Sequence, residues 1–264
     1  MIIDFHTHCF PPKIAQRAID GLSDASGGQI YHTNGTTDGL LEQMERSGVT
    51  ASVVLNIATN EHQQHSVNDF AASINNNDTL FSFGSVFPDS KDSLEELDRI
   101  DSLGLKGVKL HPDYQHFYVD DPKMKPIYKK ISRLGLIVVF HAGFDFGFPP
   151  PYGATPERLA KALRWLDTPV VAAHWGGLQY GQQVIEHLCG LDLYFDTSFG
   201  YGSMPKCFAR QIVEKHGVDK LLFGTDTPWH TPEMELRMLD SLGLSNSQRD
   251  RILFGNAARL LKIK

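Results

Sequence analysis

The stretch LIVVFHAG (136–143) is a run of branched apolar residues that ends in a histidine and a glycine. Helical patterns flank it: MKPIYKKISRLG (124–135) before, TPERLAKALRWLD (155–167) after, both with apolar residues at 3.6-type spacing. A buried strand between two helices is the unit of a parallel sheet built by βαβ crossovers. The unit recurs. Seven further short apolar runs have the same character: MIIDFH (1–6), TASVVLNI (50–57), LFSFGSV (80–86), GVKLHP (107–112), PVVAAHWGG (169–177), DLYFDTS (192–198) and KLLFGTD (220–226). Helical patterns at 37–48, 92–104, 231–243 and 245–263 fill much of the space between and after them. Several close on a glycine, as a C-terminal cap does. Ser245, Asn246 or Ser247 is the expected cap of the last helix. Eight strands in 264 residues predict the α/β class, as a closed (β/α)8 TIM barrel forming a single domain over 1–264. The glycine fingerprint of an open dinucleotide-binding sheet does not follow the first strand.

Composition narrows the function. A formal net charge of -6 gives no basic footprint for nucleic acid. The longest apolar run, LIVVF (136–140), is far too short to cross a bilayer. Three cysteines, Cys9, Cys189 and Cys207, have no CxxC spacing, which fits a reducing, cytoplasmic setting and no disulfide framework. Strand alternation turns Cys9 away from His8, so a small buried thiol is expected there. The expected partner is a small-molecule substrate, with neither nucleic acid nor membrane, and the outer helices of a barrel leave room for a homodimer.

Of twelve histidines, five fall at or near C-terminal strand ends: His6, His8, His111, His141 and His174. Asp226 ends the eighth run. His6 and His8 lie two apart, on one face of a strand. Barrel strand ends converge on one rim, so His6, His8, His141 and Asp226 form a sensible ligand set for one divalent ion. Zn²⁺ is the first expectation, with Mn²⁺, Co²⁺ or Fe²⁺ as alternatives. Residues 9–36 and 144–154 leave the same rim and are too elaborate for turns, so they are expected to form a lid or pocket wall.

The pieces DFHTHCFPP, GVKLHP, VVFHAG, AAHWGG, LLFGTDTPW and ILFGNAARLL resemble, in order from residue 4 to residue 261, the amidohydrolase superfamily of metal-dependent barrel enzymes. Its branch with aminocarboxymuconate-semialdehyde decarboxylase is the nearer likeness. The resemblance implies metal ligation by His6, His8, His141 and Asp226, and a catalytic role for His174 beside the metal; in a hydrolytic reaction Asp226, ligand and neighbour of the water, is expected to shuttle the proton. Binuclear relatives bridge two ions with a modified strand-four lysine. Lys109 lies two residues before His111, a position expected to be one layer deeper, so one ion is expected and His111 is assigned to the substrate pocket.

Hydrolysis of an amide, ester or lactone by metal-activated water is the first expected activity. Non-oxidative decarboxylation of an aromatic or dienoic acid is the alternative, and a non-catalytic metal-binding barrel comes third. Decarboxylation calls for a cation to clamp the carboxylate; Arg17 and Arg46 are early candidates, although Arg46 reads as a helix surface charge. Trp175 and Trp229, each just past a strand end, are expected to face the substrate.

Overall fold

The computed structural model describes residues 1–263. Its strands are β1 (Ile3–Thr7), β2 (Ala51–Leu55), β3 (Leu80–Phe83), β4 (Gly107–Leu110), β5 (Ile137–Phe140), β6 (Val170–Ala172), β7 (Tyr194–Asp196) and β8 (Leu221–Leu222). All neighbours pair in parallel, as β1-β2-β3 and as β4-β5-β6-β7-β8. Two seams close the ring. Gly84 N donates to Gly107 O (2.9 Å) and Lys109 N to Gly84 O (2.8 Å) between β3 and β4. Phe5 N to Phe223 O, Asp226 N to His6 O and His8 N to Thr227 O, each 2.7 Å, join β1 to the end of β8. The expected barrel is present.

The helices are α1 (Ala15–Ala25), α2 (Thr37–Ser47), α3 (Gln64–Ile74), α4 (Ser93–Ser102), α5 (Lys125–Leu134), α6 (Pro156–Ala162), α7 (Gly181–His187), α8 (Lys206–His216), α9 (Pro232–Asp240), α10 (Asn246–Asp250) and α11 (Asn256–Leu261). Hydroxyls of Thr36, Thr155 and Thr231 cap α2, α6 and α9 by accepting from the third residue's N–H. Among the three candidates for the last helix, Ser245 is the cap, in a reciprocal box with Gln248. That helix is not uniform, because a π-turn over Arg251–Gly255 separates α10 from α11. The region 9–36, expected as a lid or pocket wall, contains α1. Its buried residues are Ala15 and Ile19, and Ile19 lies against Gly35 of the same connection. No helix among the described residues is long and apolar enough to cross a membrane.

Strand alternation divides the core. Val138 and Phe140 pack toward the helices, whereas Ile137 and Val139 join the inner cluster with Phe5, Phe83, Val171 and Leu222. The inner phase carried one step on reaches His141 on β5, Lys109 on β4, Asp196 after Tyr194 on β7, and Asp226 after Leu222 and Gly224. On β1 the register shifts between Asp4 and Thr7. Phe5 therefore sits in the inner cluster while His6, its neighbour, also reaches inward to Lys109.

Gly143 ties the end of β5 to the loop after β6. A Cβ there would stand 2.3 Å from Leu178 N and 2.5 Å from Leu178 O, on a backbone with φ +88°. Gly143→Ala is expected to destabilise the fold by about 2–4 kcal/mol, through left-handed strain and forced separation of the two loops. Urea unfolding measures it, and a cost under about 1 kcal/mol would refute the close approach.

Candidate metal centre

The rim brings three predicted ligands into contact. His6 Nε2 lies 3.2 Å from His8 Nε2 and 3.3 Å from Asp226 Oδ1, and His8 Nε2 lies 2.9 Å from the same oxygen. His174 joins them: one donor atom each from His6, His174 and Asp226 lies within 4.8 Å of the others. The fourth predicted ligand, His141, meets the group through His174, with Nδ1 3.1 Å from His174 Nε2.

The outer hydrogen bonds decide what these inner atoms can do. Burial lowers the pKa of the His6, His141 and His174 imidazoles, His174 to about 3, so the rings are neutral and carry one proton each. His6 Nδ1 donates to Asp196 Oδ2 at 2.9 Å. His8 Nδ1 faces the carbonyl of Leu55 at 2.7 Å, and His141 Nε2 faces the carbonyl of Phe144 at 3.2 Å; a carbonyl only accepts, so both nitrogens bear the proton. His174 Nδ1 is 2.8 Å from Ser198 Oγ, which donates its own proton to Asp196 Oδ1 at 2.5 Å. Burial drives the Asp196 carboxyl up, yet the His6 and His174 imidazoles and the Ser198 hydroxyl hold it below the usual range, as an ionised acceptor. The inner nitrogens of the His6, His141 and His174 rings are thereby left with lone pairs, beside the Asp226 carboxylate.

Lone pairs that face one another at 3.1 Å between His141 and His174, and at 3.3 Å between His6 and Asp226, repel unless a cation lies among them. A tetrahedral ion with ligand bonds of about 2.1 Å sets its donors roughly 3.4 Å apart, and an octahedral one roughly 3.0 Å. The residues present fit a divalent ion. A second group, His111, His141 and Asp145, also gathers within 4.8 Å, but its hydrogen bonds are complete. Tyr114 N approaches His111 Nδ1 (3.5 Å), His111 Nε2 points at Asp145 Oδ2 (3.3 Å), and Gly147 N donates to Asp145 Oδ1 (2.7 Å). The His111 ring stacks on His141 at 4.1 Å. This group reads as a brace that fixes the His141 ring.

Lys109 is not one layer removed from the site. Its Nζ lies 3.4 Å from His6 Nε2, and burial lowers its pKa to about 8. Among the described residues it is the one buried lysine or arginine, whereas Arg17 and Arg46 are exposed on α1 and α2.

The two tryptophans part company. Trp229 is half-buried, while Trp175 is 1 % exposed and packs in the helix-side core. The backbone explains this: His174 and Trp175 are both left-handed, at φ 58° and 60°, which aims the first inward and throws the second out of the rim. Phe199, also left-handed at φ 54°, stands in its place, edge-on to His174 at 5.7 Å and near Phe146 at 5.9 Å. Cys9 is buried, as expected, and burial pushes its thiol up to about 11. Asp4 is a further unpredicted member. It accepts from Thr225 Oγ1 (2.6 Å) and Thr225 N (3.0 Å), fixing the turn that delivers Asp226.

Comparison with known proteins bears on the fold and the family. The amidohydrolase family profile matches residues 3–263. Among solved structures, the chain is similar to an uncharacterized TIM-barrel protein from Bordetella bronchiseptica, with 21 % identity and a TM-score of 0.79 over 99 % of this chain and 98 % of that one. It is similar to 5-carboxyvanillate decarboxylase LigW from Sphingomonas paucimobilis, with 16 % identity and a TM-score of 0.72 over 100 % and 99 %. A third is dihydroxybenzoic acid decarboxylase from Polaromonas with bound manganese and the inhibitor 2-nitroresorcinol, at 15 % identity and a TM-score of 0.73 over 99 % and 97 %. Identities this low show a shared barrel and nothing finer. A search of curated proteins gives no match. With eight parallel strands closed into a ring and the family profile spanning 3–263, the chain belongs to the amidohydrolase family.

Proposed function

We propose that the protein is a metal-dependent, non-oxidative decarboxylase of a planar aromatic or dienoic acid, with hydrolysis of an amide, ester or lactone as the displaced reading. The observation that carries it is the pairing of a proton-accepting imidazole with an aromatic wall. His174 Nε2 holds a lone pair beside the donor set, and Phe199 lies edge-on to that ring, followed by Phe146 and Phe144 at 5.9 and 5.0 Å spacings. A flat conjugated ring suits such a wall. Decarboxylases among the similar structures support the same reading.

In this reading His6, His8, His141 and Asp226 hold the ion, and Lys109 presents the buried ammonium that a carboxylate needs. A divalent ion bound there would polarise a substrate oxygen and offset negative charge. The C–CO₂ bond breaks, its electron pair stays on the ring carbon, and CO₂ leaves. His174 Nε2 takes up a proton from solvent and delivers it to that carbon, while Ser198 and Asp196 stabilise the imidazolium from behind.

The test is a panel of hydroxybenzoates, dienoic acids, lactones and amides on protein loaded with Zn²⁺ or Mn²⁺, following CO₂ release and carbonyl hydrolysis together. CO₂ from an aromatic or dienoic acid is the expected result. Turnover of a lactone or amide, with no CO₂ from any acid, would overturn it.

A further inference from the structure

The end of β7 reads DTS (196–198), and neither Asp196 nor Ser198 belongs to the donor set. Both are fully buried on the inner face, two residues apart. Asp196 is a hub. Its Oδ2 accepts from His6 Nδ1 (2.9 Å), and its Oδ1 accepts from the backbone N–H of His174 (3.0 Å), the N–H of Ser198 (3.1 Å) and Ser198 Oγ (2.5 Å).

Ser198 has a single hydroxyl proton. Turned toward His174, it would leave two oxygens with facing lone pairs 2.5 Å apart at Asp196. The proton therefore goes to the carboxylate, and Ser198 Oγ can only accept: from His174 Nδ1 at 2.8 Å, and at 3.2 Å from His6 Nδ1, whose shorter bond is to Asp196. The opposite tautomer of His174 would carry its proton on Nε2 and donate it to His141 Nδ1, 3.1 Å away. That bond would occupy both inner lone pairs at once, quenching the proton acceptor and one metal donor together.

We propose that Ser198 is a positioning residue that locks His174 in the Nδ1–H tautomer, reserving Nε2 for the reacting proton. Asp196 gives the lock its direction and orients His6 with its other oxygen, so the metal ligand and the proton carrier share one carboxylate. This deepens the reading of His174 as proton carrier and rests on it, but the tautomer can be read with no substrate present.

Two measurements on the zinc-loaded protein test it. ¹⁵N-histidine NMR, with the His174 signals identified by their loss in His174→Gln, is expected to show a protonated Nδ1 and a bare Nε2. In Ser198→Ala the proton is expected to move to Nε2, and kcat to fall by about 10- to 100-fold, with KM within twofold and zinc content unchanged. A wild-type His174 protonated on Nε2 overturns the proposal whether or not the variant folds. So does a Ser198→Ala protein with unchanged His174 shifts, or with wild-type kcat at full zinc loading. If the panel of acids yields no CO₂ while the NMR result holds, the decarboxylase reading fails and the tautomer lock stands.

Discussion

His174→Gln is expected to lower kcat by about 10²–10⁴-fold while the protein stays folded and keeps its zinc. His174 is 3 % exposed and held on three sides: by Asp196 through its backbone N–H, by Ser198 at Nδ1 and by His141 at Nε2. A glutamine side chain keeps the polarity and much of the volume, so the cavity and its hydrogen bonds survive. It has no nitrogen lone pair that can carry a proton, and that step is the one lost. Steady-state kinetics with metal analysis on the same samples separates the outcomes. Unchanged kcat removes His174 from the chemistry. Loss of zinc together with activity makes His174 a ligand, which its closeness to His6 and Asp226 also permits. A rate loss at full occupancy is the expected result.

The barrel was readable from sequence because each strand is a short branched run and each helix keeps its 3.6 spacing; the inner face of β4, β5 and β8 then follows by counting in twos. The same counting finds Asp196 and Ser198 from Tyr194, so that pair was within reach and missed for want of asking what orients the ligands. Other features lie outside any periodic rule. The register shift on β1 lets the adjacent Phe5 and His6 both face inward. The left-handed turn at His174 and Trp175 sends the tryptophan into the core and leaves the wall to Phe199, a residue with no sequence mark of its own. Lys109 looked too deep, because spacing along a strand gives depth of the Cα and not the reach of a long side chain. The preference for hydrolysis came from class breadth and a missing clamp. Lys109, a buried lysine beside the donor set, supplies the missing cation and moves that preference.

Asp226→Asn is expected to abolish the stabilisation that zinc confers. The carboxylate is the one anionic donor beside His6 and His8. Asparagine holds the shape and loses the charge, so zinc affinity should drop by two orders of magnitude or more, on the order of what ligand-shell changes cost. Zinc at a hundredfold over its dissociation constant stabilises the native state by about 2.7 kcal/mol. At about 2–4 °C per kcal/mol for a chain this size, the wild-type Tm should rise by about 5–10 °C on adding zinc. In Asp226→Asn the same zinc concentration should then give a shift of about 1–2 °C at most. Asp145→Asn is the matched control, because Asp145 faces His111 and His141 from the other group. If the ion belongs to His6, His8, His141 and Asp226, Asp145→Asn keeps most of the zinc shift and Asp226→Asn does not. The reverse pattern would move the ion to the His111 group, and no shift in the wild type would leave the facing lone pairs of the rim without a cation to reconcile them.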